Sequence, residues 1–199
     1  LFNRPEKTRQ SFEQIAKAKP TQLFIIADGP RPDHPTDAEN CAAAREVVEN
    51  IDWDCTVYRN YSDTNLGCKR RVSSGIDWVF EQVEEAIFIE DDIVVSPDFF
   101  LFAEEMLARY RHDTRIMHIA GFNELPPDPT YPYSYYFSRR IVIWGWATWR
   151  RAWQNYDVEM SLWPSLRKQL TSQLMLSDRL VRHLDITFSG ELDTWDYQW

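Results

Sequence analysis

The chain has 199 residues, 44% hydrophobic and 27% charged, which suits one globular domain large enough for a core of its own and gives no support to disorder. Its net charge of −9 repels polyanions, so nucleic acid is not an expected partner. Three cysteines, Cys41, Cys55 and Cys68, show neither C-x-x-C spacing nor an adjacent histidine, which argues for a reducing, cytoplasmic setting and against a zinc site.

Leu1-Phe2 reads as the tail of a strand running into Asn3-Arg4-Pro5, so further sequence is expected upstream. Trp199 follows a fresh amphipathic start and carries the same expectation downstream. Residues 5 to 18 read as a helix with Pro5 in its first turn and Phe12, Ile15 and Ala16 on one face. Leu23 to Ala27 is a buried-type strand ending in Asp28-Gly29-Pro30. That turn puts an acid at a strand's carboxyl end, where open α/β sheets bind ligands. Thr36 with Glu39 has capping-box spacing and opens a helix to about Val48. Thr56 to Arg59 is the next short strand. Beyond Asn65-Leu66-Gly67, the apolar positions Val72, Ile76, Val79, Phe80 and Val83 recur at helical spacing. Lys69, Arg70 and Arg71 stand at that helix start, where the backbone already favours anions and cations could meet a pyrophosphate; a solvated basic face is the plainer alternative.

Ala86, Ile87, Phe88 and Ile89 form an unbroken apolar run, the pattern of a central strand buried on both faces of a mostly parallel sheet. Glu90, Asp91 and Asp92 follow at its carboxyl end. Adjacent carboxylates repel and lose hydration unless something compensates. Magnesium or manganese does so with one or two carboxylates plus the phosphate oxygens of a nucleotide. The plainer alternative is a solvated acidic turn. Ser96-Pro97 reads as an N-cap with proline at the first helical position, opening a helix to about Arg111.

Ile116 to Ala120 is expected as a strand, and the alternation up to this point predicts an α/β fold with a doubly wound, Rossmann-like sheet. Pro126, Pro127, Pro129 and Pro132 mark a loop and a change of character. Tyr135 to Ile143 is expected as a strand in a mixed part of the sheet. Trp144-Gly145-Trp146 then leads into a helix with Trp149 and Trp153. Leu166, Leu170, Leu174 and Leu180 suggest another helix, and Glu191 to Trp199 begins a last one. Many of the nine tryptophans fall after residue 130, where they either fill a core or form a sugar-contacting surface. No apolar run approaches the length of a membrane span. With no G-x-G-x-x-G, Walker A, H-E-x-x-H or G-x-S-x-G pattern, the remaining features suit a metal-bound nucleotide diphosphate whose sugar is handed to an acceptor.

F-N-R-P (2–5), I-I-A-D-G-P-R (25–31), the W-V-F helix (78–80), I-F-I-E-D-D-I-V-V-S-P-D-F-F (87–100), I-A-G-F-N (119–123), W-G-W-A-T-W (144–149) and W-D-Y-Q-W (195–199) form an ordered set. Over nearly the whole chain this set resembles the motifs of N-acetylglucosaminyltransferase I and its bacterial relatives, which are GT-A fold, inverting, metal-dependent glycosyltransferases. The resemblance implies a GT-A, Rossmann-like mixed sheet flanked by helices. It also implies a manganese or magnesium ion on Asp92, the ribose on Asp91, the donor sugar on Glu90, the diphosphate on Arg4 and the nucleobase on Asp28. Lys69, Arg70 and Trp146 count as further donor contacts. Asp196 occupies the place of the catalytic base. The eukaryotic member has two adjacent acids there, whereas this chain has Asp196 and Tyr197, and Asp193 is the second candidate. A histidine of that enzyme is absent, Gly75 standing near its position.

The implied partners are a nucleotide-diphospho-sugar donor and a glycan or other hydroxyl acceptor. Residues 1–125 would form the donor half and 126–199 the acceptor half of a single catalytic domain over 1–199. Two alternatives stay open. A nucleotidyltransferase making activated sugars ordinarily carries a glycine-rich phosphate loop where this chain has Phe2-Asn3-Arg4-Pro5. A non-catalytic nucleotide-sugar-binding module would keep the fold without the chemistry.

Overall fold

A computed structural model of the protein describes residues 1–126 and 128–199; Pro127, one of the four loop prolines, lies outside the described residues. The fold is mixed α/β. Helix α1 (Pro5–Ala18) starts on a proline at its first position, where the missing N–H would have had no partner, and ends on Lys19 with a left-handed φ of 50°. Strand β1 (Gln22–Ala27) pairs in parallel with β2 (Thr56–Tyr61), from Gln22 opposite Thr56 to Ala27 opposite Tyr61. Parallel pairing needs a long crossover, and α2 (Asp37–Val47) supplies it. Leu1 lies on the other side of β1: its amino group donates to Ile26 O at 2.7 Å, and the Asp28 N–H donates to Leu1 O at 3.0 Å.

Helix α3 (Gly67–Gln82) lies against β1 through Gly75, where a Cβ would fall 2.6 Å from Cγ2 of Ile26. Strand β3 (Glu85–Phe88) leads to α4 (Pro97–Tyr110), and β4 (Ile119–Ala120) and β5 (Trp146–Trp149) complete a second sheet in the order β3-β5-β4. Both of its pairings are antiparallel. The apolar run of β3 was expected in a central strand of a mostly parallel sheet. Instead β3 stands at one end of an antiparallel sheet. Its two faces are covered all the same: Ile87 and Ile89 pack on the cluster built by α4, Ala86 and Phe88 on the cluster built by α3. A fully apolar run reports two covered faces and is blind to the direction of the neighbouring strand.

Other expectations need correction. Residues Tyr135 to Ile143 form no strand; Tyr135 and Phe137 pack edge-on against Tyr110 from irregular chain. Trp149 ends β5 rather than sitting in a helix, and only Arg150–Trp153 is helical (α5). The spacing of Trp146, Trp149 and Trp153 fits a helical period, but the packing follows a period of two. Ala147 and Trp149 face the α4 cluster, while Trp146 joins Ile76, Phe80, Trp153 and Trp195 on the opposite face. The leucine series is split between α6 (Trp163–Gln173) and α7 (Asp178–Phe188), because Ser177 caps a new helix by accepting from Leu180 N–H at 3.3 Å. Thr36 makes no side-chain cap bond, and Glu191 to Trp199 is a series of turns, not a helix. Among the described residues, no helix is long and apolar enough to cross a membrane.

Candidate functional site

The chain enters α1 through Arg4, which stands directly before Pro5 and is kept out of the helical region, at φ −122° and ψ 70°. From there its guanidinium reaches the loop after β3. Nη1 donates to Asp92 Oδ2 at 2.8 Å and Nη2 pairs with Asp91 Oδ1. The other oxygen of Asp91 accepts the Phe2 N–H at 3.1 Å. Asp91 is thus almost sealed, its side chain 4% exposed, while Asp92 keeps a third of its side chain open. Buried Ser11 of α1 pins the same loop, its hydroxyl donating to Ile93 O at 2.6 Å. The E-D-D triplet is held by α1 as much as by its own strand.

Glu90 differs from its neighbours. Its Oε1 is buried with no hydrogen-bond partner, and its carboxyl is pushed up to about 7, first by burial and then by the charges of Asp92, Asp196 and Asp91. Such a carboxyl is divided between donor and acceptor forms near neutral pH and can meet a hydroxyl in either role. Asp196, over a hundred residues away in sequence, comes near enough for its charge to act on Glu90. Asp196 takes a close hydrogen bond from the Thr194 hydroxyl, and its loop is anchored by Tyr156, whose hydroxyl donates to Trp195 O at 2.9 Å.

Asp193 has a different task. Its carboxylate accepts the backbone N–H groups of Cys68 at 2.8 Å and Lys69 at 3.1 Å, closing the first turn of α3. Gly67 makes this approach possible: its φ is 80°, and a Cβ there would lie 2.6 Å from Asp193 Oδ2. The helix terminus expected to meet a pyrophosphate is therefore occupied by the chain's own carboxylate. Lys69 Nζ lies 3.0 Å from Glu159, and Arg70 faces the same acid at 4.0 Å.

Asp28 is buried and fully engaged, accepting from Gly29 N–H and Leu66 N–H at 2.9 Å each and from Asn65 Nδ2 at 3.0 Å. It ties the turn after β1 to the loop before α3, and those bonds hold its carboxylate away from solvent. Trp146, 1% exposed, is stacked with Phe88, His118 and Trp195 in the core; the ring of its motif that faces solvent is Trp144, 52% exposed.

Three neighbours of the site gave no signal in the sequence. The Cys68 thiol, though at the surface, is pushed up to about 11, first by partial desolvation and then by Glu90, Asp193 and Asp196, so it stays protonated. Tyr156 and His118 fasten the loop that carries Asp196. Their roles depend on contacts 39 and 81 residues away in the chain, which no local pattern reports. Arg4, Glu90, Asp91, Asp92 and Asp196 converge, whereas Asp28, Trp146, Lys69 and Arg70 serve the scaffold or face other partners. The sequence matches no protein-family model and no curated protein.

Proposed function

We propose that the protein is a metal-dependent, inverting glycosyltransferase of the GT-A type, similar to N-acetylglucosaminyltransferase I, moving a sugar from a nucleotide-diphosphate donor to an acceptor hydroxyl. One observation carries the reading: Asp91 and Asp92 pair with the Arg4 guanidinium beside a strand end, and next to them the enclosed Glu90, which also feels the charge of Asp196, has an oxygen without a partner. A buried carboxyl oxygen left unbonded is unfavourable by about 1–3 kcal/mol, and a sugar hydroxyl would satisfy it.

The donor set fits a magnesium or manganese ion as a sparse anchor. Among the described residues, Asp92 Oδ1 has no hydrogen-bond partner, and no group of three or more His, Cys, Asp or Glu side chains is arranged around a metal. Such ions accept one carboxylate and take phosphate oxygens and water for the rest. The chemistry an ion supplies there is stabilisation of charge on the leaving diphosphate. Asp92 would hold it, and Arg4, nearly half exposed, would turn from Asp92 to the phosphates. Glu90 would orient the sugar through its hydroxyls. Asp196 would take the proton of the acceptor hydroxyl as that oxygen attacks from the face opposite the diphosphate. One displacement inverts the anomeric carbon.

A non-catalytic nucleotide-sugar-binding module is favoured by one contact, the bridge of Arg4 across both Asp91 and Asp92, which already balances their charge. A thermal-shift screen of nucleotide-sugars with and without manganese, followed by proton NMR of any product, separates the two. A ligand at a hundred times its dissociation constant adds about 2.7 kcal/mol of stability. Manganese-dependent stabilisation and an inverted product are expected; stabilisation without product leaves the binding module, and a retained configuration overturns the mechanism.

A further inference from the structure

We infer that the cleft beside Asp92 is a subsite for a single pyranose ring, seated on the exposed indole of Trp144 in the corner that Phe122 forms with it. The inference deepens the transferase reading and rests on it for the source of the ring. The corner follows from sheet register. Strands β4 and β5 end their pairing at Ala120 opposite Trp146, and one step further the Gly121 N–H donates to Gly145 O at 2.7 Å. One more step puts Phe122 opposite Trp144. Both linking residues must be glycine. A Cβ on Gly121 would fall 2.6 Å from the Phe99 ring, and one on Gly145, whose φ is 73°, would fall 2.5 Å from Val95 Cγ1. Core side chains thus press against the glycine pair and hold the two rings at the rim.

The rings meet at 81° with centroids 4.9 Å apart, and they are 44% and 52% exposed. Two parallel rings would make a slot for a flat base, whereas perpendicular rings make a corner that suits a puckered ring. A pyranose offers an apolar C–H face to an aromatic ring and hydroxyls around its edge. Asp92 and Ser96 line the same cleft, a carboxylate and a hydroxyl able to take those hydroxyls. The cleft measures about 280 Å³, at or below the lower end of small-molecule pockets, which span about 300–1,000 Å³. It holds one ring and not an entire nucleotide-sugar.

Saturation-transfer NMR on the full chain tests this without metal or nucleotide. The probes are methyl pyranosides of glucose, galactose, mannose and N-acetylglucosamine, with sorbitol and uridine as controls. At least one pyranoside should bind while both controls do not. Trp144→Ala should weaken that binding about tenfold, and Trp144→Phe should keep most of it. Trp144 is exposed, so both variants should retain the wild-type melting temperature. Failure of every pyranoside, undiminished binding in Trp144→Ala, or uridine in their place overturns the subsite. Pyranoside binding at Trp144 in a protein that makes no product would sink the transferase reading alone. In a transfer assay, a raised donor KM in Trp144→Ala assigns the ring to the donor and a raised acceptor KM assigns it to the acceptor. Transfer indifferent to Trp144 overturns the subsite and leaves the reaction standing.

Discussion

The indole N–H of Trp199 donates to Nδ1 of His118 over 3.0 Å, while Nε2 of the same imidazole lies 3.0 Å from Val142 O. Indole can only donate, so Nδ1 accepts and the ring proton sits on Nε2, bonded to the carbonyl. Stacked at 5.1 Å on Trp146, the imidazole is held neutral, and burial pushes its pKa down from 6.5 to about 4. Above pH 6.5 it is neutral folded or unfolded and its titration has no effect on stability. As pH falls through 6.5 the unfolded chain takes up a proton that the folded one refuses, so stability drops and levels off below about 4. The interval corresponds to about 3 kcal/mol. His118→Gln should be less stable than wild type at pH 8. Urea titrations should show that deficit shrinking by about 2 kcal/mol towards pH 4.5. A deficit that stays constant with pH would show that His118 does not titrate in this way.

Asp196→Asn should leave donor binding nearly intact and lower turnover by about a hundredfold or more, the scale of losing a general base. Donor affinity by calorimetry and turnover by product formation check the two halves. Full activity in this variant would move the base to Asp193.

Asp193→Ala should act on stability first. It strips the acceptor from two N–H groups in the first turn of α3, a loss of about 1 kcal/mol, or about 2–4 °C in melting temperature. Differential scanning calorimetry on this variant beside Asp196→Asn separates the capping acid from the proposed base. A melting temperature unchanged in Asp193→Ala would contradict the cap.

Asp92→Ala should abolish the manganese-dependent part of nucleotide-sugar binding. The ion pair it removes is partly exposed and worth about 0–1 kcal/mol, so the melting temperature should barely move. Calorimetric titration of a nucleotide-sugar with and without manganese reads this directly; equal affinity in variant and wild type would remove Asp92 from the metal.

The local half of the fold was legible in the chain. Pro5 opens α1, Asp28 follows β1, and Pro97 opens α4, although the Ser96 side chain makes no cap bond, because proline geometry and apolar periodicity act within a few residues. Strand direction was not legible: Ile87 and Phe88 would be equally buried beside a parallel or an antiparallel neighbour. Trp149 stands in a strand although Trp146, Trp149 and Trp153 are spaced as in a helix, because pairing with β3 across the chain decides that stretch. At the site, the triplet 90–92 was visible as a cluster, but the environment that pushes Glu90 to about 7 comes partly from Asp196, and the capping role of Asp193 needs α3 beside it. Such facts belong to packing across long stretches of chain.

The Asp193 clasp on α3 spans 125 residues, and the same loop places Trp195 against Trp146. Closing so long a stretch loses chain entropy before any contact rewards it, so this corner should be among the slowest parts of the protein to assemble. During refolding, helical circular dichroism should recover first, and tryptophan fluorescence, which reports the stacked rings, should lag behind it. Until that second phase ends, Glu90 and Asp196 are on separate pieces of chain, and a partly folded protein has its acids without the site they form together.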